Sequence, residues 1–224
     1  MDFEAARLNM VESQLRPNNV TEPRLIETMG RIPREKFVPT SRRAIAYCDE
    51  SVEVLPGDGE GNGPRYLMEP MTFGRLVQLS GVAKTDLVLD VGCTTGYSAA
   101  VLGNLADAVV AVEESEPVAE EAGQLLTELG VDNAAVLAGR LNEGYAKQGP
   151  YDVIVLEGAV EEIPQTLFDQ LKDGGRLAAI VEEAGVGQAR LYQKTGTTIS
   201  ERAGFGANAK PLPGFGAVRE EFVF

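Results

Sequence analysis

Leu87-Val88-Leu89-Asp90-Val91-Gly92-Cys93-Thr94-Thr95-Gly96-Tyr97 (LVLDVGCTTGY) is the stretch on which the fold turns. Its first five residues are a short apolar run of the buried-strand type. Two glycines then permit a tight turn, and helical spacing begins near Ser98 and lasts to about Leu105. The same alternation continues downstream. Strands are predicted over 109–112, 134–137, 151–156 and 176–181, with helices over 117–129 and 163–171. Apolar strands alternating with helices indicate a parallel sheet covered on both faces. After Gly187 the helical spacing is lost. Segments 190–194 and 197–202, separated by Thr195-Gly196, read as a hairpin closing the sheet edge. The class is α/β: a Rossmann-like doubly wound sheet, mostly parallel, with a C-terminal antiparallel hairpin.

Upstream, residues 5–15 are amphipathic and Pro17-Asn18-Asn19 breaks them. Thr21 offers an N-cap, with Pro23 in the first turn, for a helix to about Met29. Residues 51–63 read as a Gly-rich acidic loop, and a further helix starts at Pro70 and runs to about Leu79. Residues 1–80 are therefore an N-terminal helical extension with a loop facing the site, and 81–224 the α/β domain, together one compact unit.

The 224 residues include 20 basic and 34 acidic side chains, a net charge of −14, and no histidine. Histidine bases, Ser-His-Asp and Cys-His catalysis and nearly every common zinc site are excluded, so no metal is expected. Cys48 and Cys93 suit a reducing compartment. So acidic a chain repels nucleic-acid phosphates, and no nucleic-acid partner is expected. Residues 1–9 carry Asp2 and Glu4 without an apolar run, and no stretch is long enough to span a bilayer. A soluble cytoplasmic protein without a membrane partner is the expectation.

In doubly wound sheets ligands bind at the carboxyl ends of the strands, at the switch point. There Asp90 ends a strand before Gly92 and Gly96, giving G-x-x-x-G rather than the dinucleotide G-x-G-x-x-G. An acid at that place repels a pyrophosphate but suits the cationic amino-acid end of S-adenosylmethionine. Glu113 ends the next strand, where a carboxylate can accept from both ribose hydroxyls. The alternative is a plain strand-to-helix turn with a solvated glutamate. Cys93 reads as a small loop residue and Tyr97 as a locally packed one, while Glu114 favours the N-terminus of the following helix.

The chain resembles the protein-L-isoaspartate O-methyltransferase family of class I S-adenosylmethionine methyltransferases. The likeness rests on 10–16 (MVESQLR), 32–39 (IPREKFVP), 46–49 (AYCD), 88–101 (VLDVGCTTGYSAAV), 150–154 (PYDVI) and 170–177 (QLKDGGRL). It implies methyl transfer from S-adenosylmethionine, leaving S-adenosylhomocysteine, to a carboxylate of damaged protein. The donor contacts it implies are Asp90, Gly92, Cys93, Gly96, Tyr97, Glu113 and Glu114, with Gly139, Arg140 and Leu141 by the adenine.

Three departures from the family pattern bear on function. The family's G-x-G-Q-T-I-S-x-P segment reads Gly61-Asn62-Gly63-Pro64-Arg65-Tyr66-Leu67-Met68-Glu69-Pro70 here, so Met68 stands at the serine that helps hold the substrate carboxylate. Thr94 replaces the middle glycine of the cofactor loop, where its Cβ would crowd the donor or force the loop outward. The family's G-D-G is Gly139-Arg140-Leu141, without the acid. A lost neutral hydrogen bond removes about 0.5–1.5 kcal/mol. Proximity and alignment supply up to about 7–11 kcal/mol, so Met68 alone does not abolish transfer. Arg65 is a candidate replacement clamp on the acceptor, or else a surface arginine. Glu157, ending the fourth strand, is a candidate base or orienting group for a neutral nucleophile, or else a capping or solvated glutamate. The partner is a protein, a peptide or a small molecule. The rival reading is a non-catalytic or differently specific relative that binds the donor or a protein.

Overall fold

The computed structural model describes residues 1–57 and 63–216. Helix α1 (Phe3–Met10) is capped by Asp2, whose carboxylate accepts the Ala5 N–H at 3.0 Å. Regular winding stops at Met10, short of the expected Leu15. Residues Val11–Leu15 form a wider π turn and Arg16–Asn18 a tight 3₁₀ turn. Pro17 lies at this change; it has no N–H and crowds the carbonyl four residues back.

Helix α2 (Pro23–Arg31) starts one residue later than predicted, with Glu22 rather than Thr21 at the N-cap. No side chain of its own segment caps it. Instead the Thr21 and Glu22 N–H groups donate to Gln78 Oε1 at 2.6 and 3.0 Å, a tertiary cap that local spacing could not reveal. The predicted loop 51–63 is partly strand: β1 (Val52–Leu55) pairs antiparallel with β2 (Arg65–Leu67), and residues 58–62 lie outside the described residues. Alternation of buried Val52 and Val54 with half-buried Glu53 and Leu55 is the strand signal in that segment. Helix α3 (Pro70–Ser80) ends at Gly81, φ +63°, close to the predicted span.

The remaining elements are β3 (Leu87–Val91), α4 (Tyr97–Leu105), β4 (Ala108–Glu113), α5 (Glu116–Glu128), β5 (Ala134–Ala138) and β6 (Tyr151–Val160), followed by α6 (Gln165–Asp169), β7 (Leu171–Glu183), β8 (Val186–Thr195) and β9 (Thr198–Gly206). They build one sheet of order β5-β4-β3-β6-β7-β8-β9. Strands β3 to β7 run parallel, and β8 and β9 close the edge antiparallel, as expected. The order reverses between β3 and β6, which places the ligand crevice at their carboxyl ends. Several elements depart from the predicted spans: β7 begins at Leu171 rather than 176, and β8 and β9 run longer than the predicted 190–194 and 197–202. Strand β6 runs on past residue 156, with Ala159 and Val160 pairing beyond an irregularity with Ile180 and Val181. The predicted helix over 163–171 shrinks to α6, because Pro164 sets its start and β7 already claims Leu171.

The two sheet faces are covered unequally. One carries Val88, Ala111, Val153 and Val155 beneath residues of α1 to α5. The other carries Leu89, Val91, Val112, Ile154 and Leu156 beneath α6, Leu141 and the segment bearing Leu212 and Phe215. Among the described residues no helix is long and apolar enough to cross a membrane.

Candidate active site

The bend between β3 and α4 is tied to its neighbour by backbone: Gly92 N–H donates to Val112 O at 2.9 Å. Gly92 (φ +88°) and Gly96 (φ +93°) occupy the left-handed region that glycine reaches without strain. Thr94 adopts φ +50° as well, at a cost of about 1–2 kcal/mol for an L-residue. Its N–H donates to Glu113 Oε2 at 3.1 Å, so the loop is drawn onto the carboxylate, with the Thr94 side chain buried.

Asp90 is fully buried. Its Oδ2 accepts from Ser98 Oγ at 2.7 Å, while Oδ1 has no partner among the described residues. Burial pushes its pKa up to about 7; the Ser98 hydrogen bond opposes this and the Glu113 charge adds to it. Glu157, expected at the strand's end, stands instead inside β6, which continues to Val160, and its Oε1 is shut off from solvent with no partner among the described residues. Burial, and after it the charge of Asp90, raises its pKa well above the usual carboxylate range, with Arg34 opposing. Arg34 is itself buried under this wall, donating to Ala46 O and Met68 O at 2.7 Å each, its guanidinium 4.7 Å from the Tyr97 ring.

Arg65 is neither a surface arginine nor free to clamp an acceptor. Its Nη1 meets Glu113 Oε1 at 3.0 Å and its Nη2 donates to Gly92 O at 3.2 Å. The two side chains are only 9% and 2% exposed. Glu113 Oε1 also accepts, more distantly, from Ser115 N–H at 3.4 Å. Glu113 is thus no solvated glutamate: Arg65 and two backbone N–H groups hold it. The side of the bend left open by Gly92 is filled as well: a Cβ placed there would lie 2.6 Å from Leu212 Cδ1.

The other residues singled out divide between the crevice wall and the surrounding packing. Met68 and Glu157 line a narrow gap of about 10 Å³ together with Gly92, Cys93 and Tyr97. Cys93 is buried, and burial pushes its thiol pKa well up, so it is no nucleophile. Tyr97 packs between Phe37 and Phe73 at centroid distances of 5.5 and 5.6 Å. Gly139 N–H donates to Glu113 O at 2.9 Å and Leu141 is fully buried. Arg140 has a side chain that is 79% exposed and pairs with Glu143 at 3.3 Å. Glu114, exposed, lines a larger cavity of about 380 Å³ with Arg65, Glu113, Ser115, Gly63 and Pro213, outside the Arg65–Glu113 pair. The described residues contain no group of three or more acids or thiols able to hold a metal.

In chemistry the donor set fits a sulfonium nucleoside: two strand-end carboxyl groups, an Asp90 oxygen without a partner among the described residues, and a bend whose Gly92 carries no side chain. In space, the chain's own Arg65 and Leu212 hold the position. Residues 207–215, which carry Leu212, were missed from sequence because they have neither a period nor a motif.

A family model described as Protein-L-isoaspartate(D-aspartate) O-methyltransferase matches residues 6–204. Proteins named protein-L-isoaspartate O-methyltransferase are similar along most of the chain. Those of Methanoculleus marisnigri and Koribacter versatilis are 38% and 36% identical over 175 residues, 78% of this chain and 76% of theirs. That of Trichlorobacter lovleyi is 31% identical over 215 residues, 96% of both. A solved structure of the same name superposes with a TM-score of 0.79 at 26% identity, covering 94% of this chain and 67% of that one. A Plasmodium falciparum structure named as such a methyltransferase, in complex with S-adenosyl-L-homocysteine, shares the fold with a TM-score of 0.73 at 17% identity. With a matching family model over nearly its whole length and relatives above 30% identity, this chain belongs to the protein-L-isoaspartate (D-aspartate) O-methyltransferase family.

Proposed function

We propose that this protein is an S-adenosylmethionine-dependent methyltransferase whose acceptor is a carboxylate on a protein or peptide, nominally an isoaspartyl residue. The family membership supports the reaction, and one observation of this chain supports the donor. Asp90 and Glu113 stand at adjacent strand ends beside a bend whose Gly92 carries no side chain, so two carboxyl groups and a bare stretch of backbone lie at one crevice. The donor supplies an electrophilic methyl group on a cationic sulfur. Asp90, with its unpartnered Oδ1, would hold the amino-acid end, and Glu113 would accept from the ribose hydroxyls. Glu114 and the 139–141 turn border the adenine side.

A carboxylate acceptor is already ionised near neutral pH and needs no base. Glu157 then has a different task from the base considered for a neutral nucleophile. Burial holds it toward its protonated form, in which it donates a hydrogen bond to an acceptor oxygen instead of repelling it. Met68 contributes an apolar wall. Tritium transfer from labelled S-adenosylmethionine to an isoaspartyl peptide, beside its aspartyl counterpart and a cell extract, tests the reading. Label in the isoaspartyl peptide alone is expected. Label in extract but in neither peptide would reject that acceptor while keeping the enzyme.

The occupied crevice favours a second reading, a non-catalytic relative. Absence of S-adenosylhomocysteine binding at millimolar ligand, for this chain and for variants that clear the crevice, would favour it.

A further inference from the structure

We propose that Arg65 and Leu212 form an internal plug, so that a nucleoside enters only after strand β2, which carries Arg65, and the 207–215 strap withdraw together. The inference rests on the methyltransferase reading above and adds a conformational step to it. Arg65 offers Glu113 a cation and Gly92 O a donor, satisfying the two groups a nucleoside would have to meet. Leu212 Cδ1 closes the side that glycine leaves bare. The pair is buried, so it is not a loose surface contact that an incoming ligand brushes aside.

The strap is built to be held and released as a unit. Beyond the Ala207–Gly187 bond at its start, three backbone hydrogen bonds seat it on the rim of β6. Ala159 N–H donates to Lys210 O at 2.9 Å, Leu212 N–H to Ala159 O at 2.8 Å, and Glu161 N–H to Phe215 O at 3.1 Å. By contrast, each strand of the main sheet shares a run of consecutive pairs with its neighbour. Lys210 also lies 5.3 Å from the Tyr66 ring, and Tyr66 is the residue after Arg65. That contact links the strap to β2, so Leu212 and Arg65 leave in concert. The cavity of about 380 Å³ just outside the Arg65–Glu113 pair gives the guanidinium a place to swing and an arriving nucleoside a place to dock. Apparent affinity is then the intrinsic affinity reduced by the fraction of molecules that are open.

Equilibrium dialysis of labelled S-adenosylhomocysteine against the full chain, Arg65→Gln and Leu212→Ala tests this, with hydrogen exchange of the wild type alongside. Each variant is expected to bind at least tenfold more tightly than wild type, and saturating ligand to speed exchange at 207–215. Binding by wild type that neither variant improves, or strap exchange that ligand slows, overturns the plug and leaves the methyltransferase reading standing. No binding by any folded variant at millimolar ligand overturns both. Should Arg65→Gln fail to fold, Leu212→Ala, which leaves the ion pair intact, carries the test with the same outcomes.

Discussion

Asp90 and Glu113 end adjacent strands, yet their surroundings treat them in opposite ways. Glu113 is met by a guanidinium and two backbone N–H groups, Asp90 by a single hydroxyl. The consequence is a pH dependence with a definite sign. A carboxyl raised to about 7 in the folded state, against about 3.9 unfolded, stabilises most at low pH. That contribution is lost as pH climbs from about 4 through about 7. Asp90→Asn keeps an acceptor for Ser98 and removes the charge. Its melting temperature, by scanning calorimetry, should exceed the wild-type value at pH 8, with the difference shrinking toward pH 5. An equal difference at both pH values would contradict the burial argument. Both acids were legible in the sequence as strand-end carboxylates. The partner of Glu113 was not, since Arg65 lies 48 residues away on a hairpin read as a loop.

At the scale of elements, Gly158 shows why β6 runs past the crevice. A Cβ there would lie 2.9 Å from Lys210 O and 3.1 Å from Leu212 Cβ, so the strap is seated on a bare stretch of strand. Gly158→Ala should lift it. Amide exchange at Leu212 is expected to accelerate more than tenfold, with about 1–3 kcal/mol lost from overall stability. Unchanged exchange at Leu212 would show that the strap is held elsewhere. The strands and helices around the site were readable because apolar residues repeat with the period of each element. The strap has no such period, and its place depends on three hydrogen bonds to a distant strand end and on burial of Leu212 and Phe215 against the sheet.

Across the whole molecule, the N-terminal helices share one continuous core with a face of the sheet. Leu15, fully buried, lies against α3, where a Cβ on Gly74 would come 3.2 Å from its Cδ2. We propose that residues 1–80 and 81–224 unfold as one cooperative unit. Leu15→Ala should cost about 2–5 kcal/mol while far-UV circular dichroism and tyrosine fluorescence report coincident urea transitions. Two separated transitions would show that the extension is an independent domain.

The strand–helix alternation, the glycine bend and the two acids beside it were determined by sequence alone, because each is written in residues close together along the chain. Whether that bend stands open was decided only in three dimensions. Arg65 and Leu212 come from segments far apart in sequence, joined by charge pairing and the exclusion of water from Leu212. Neither force leaves a local pattern, and so the crevice could be located from the sequence but its occupant could not.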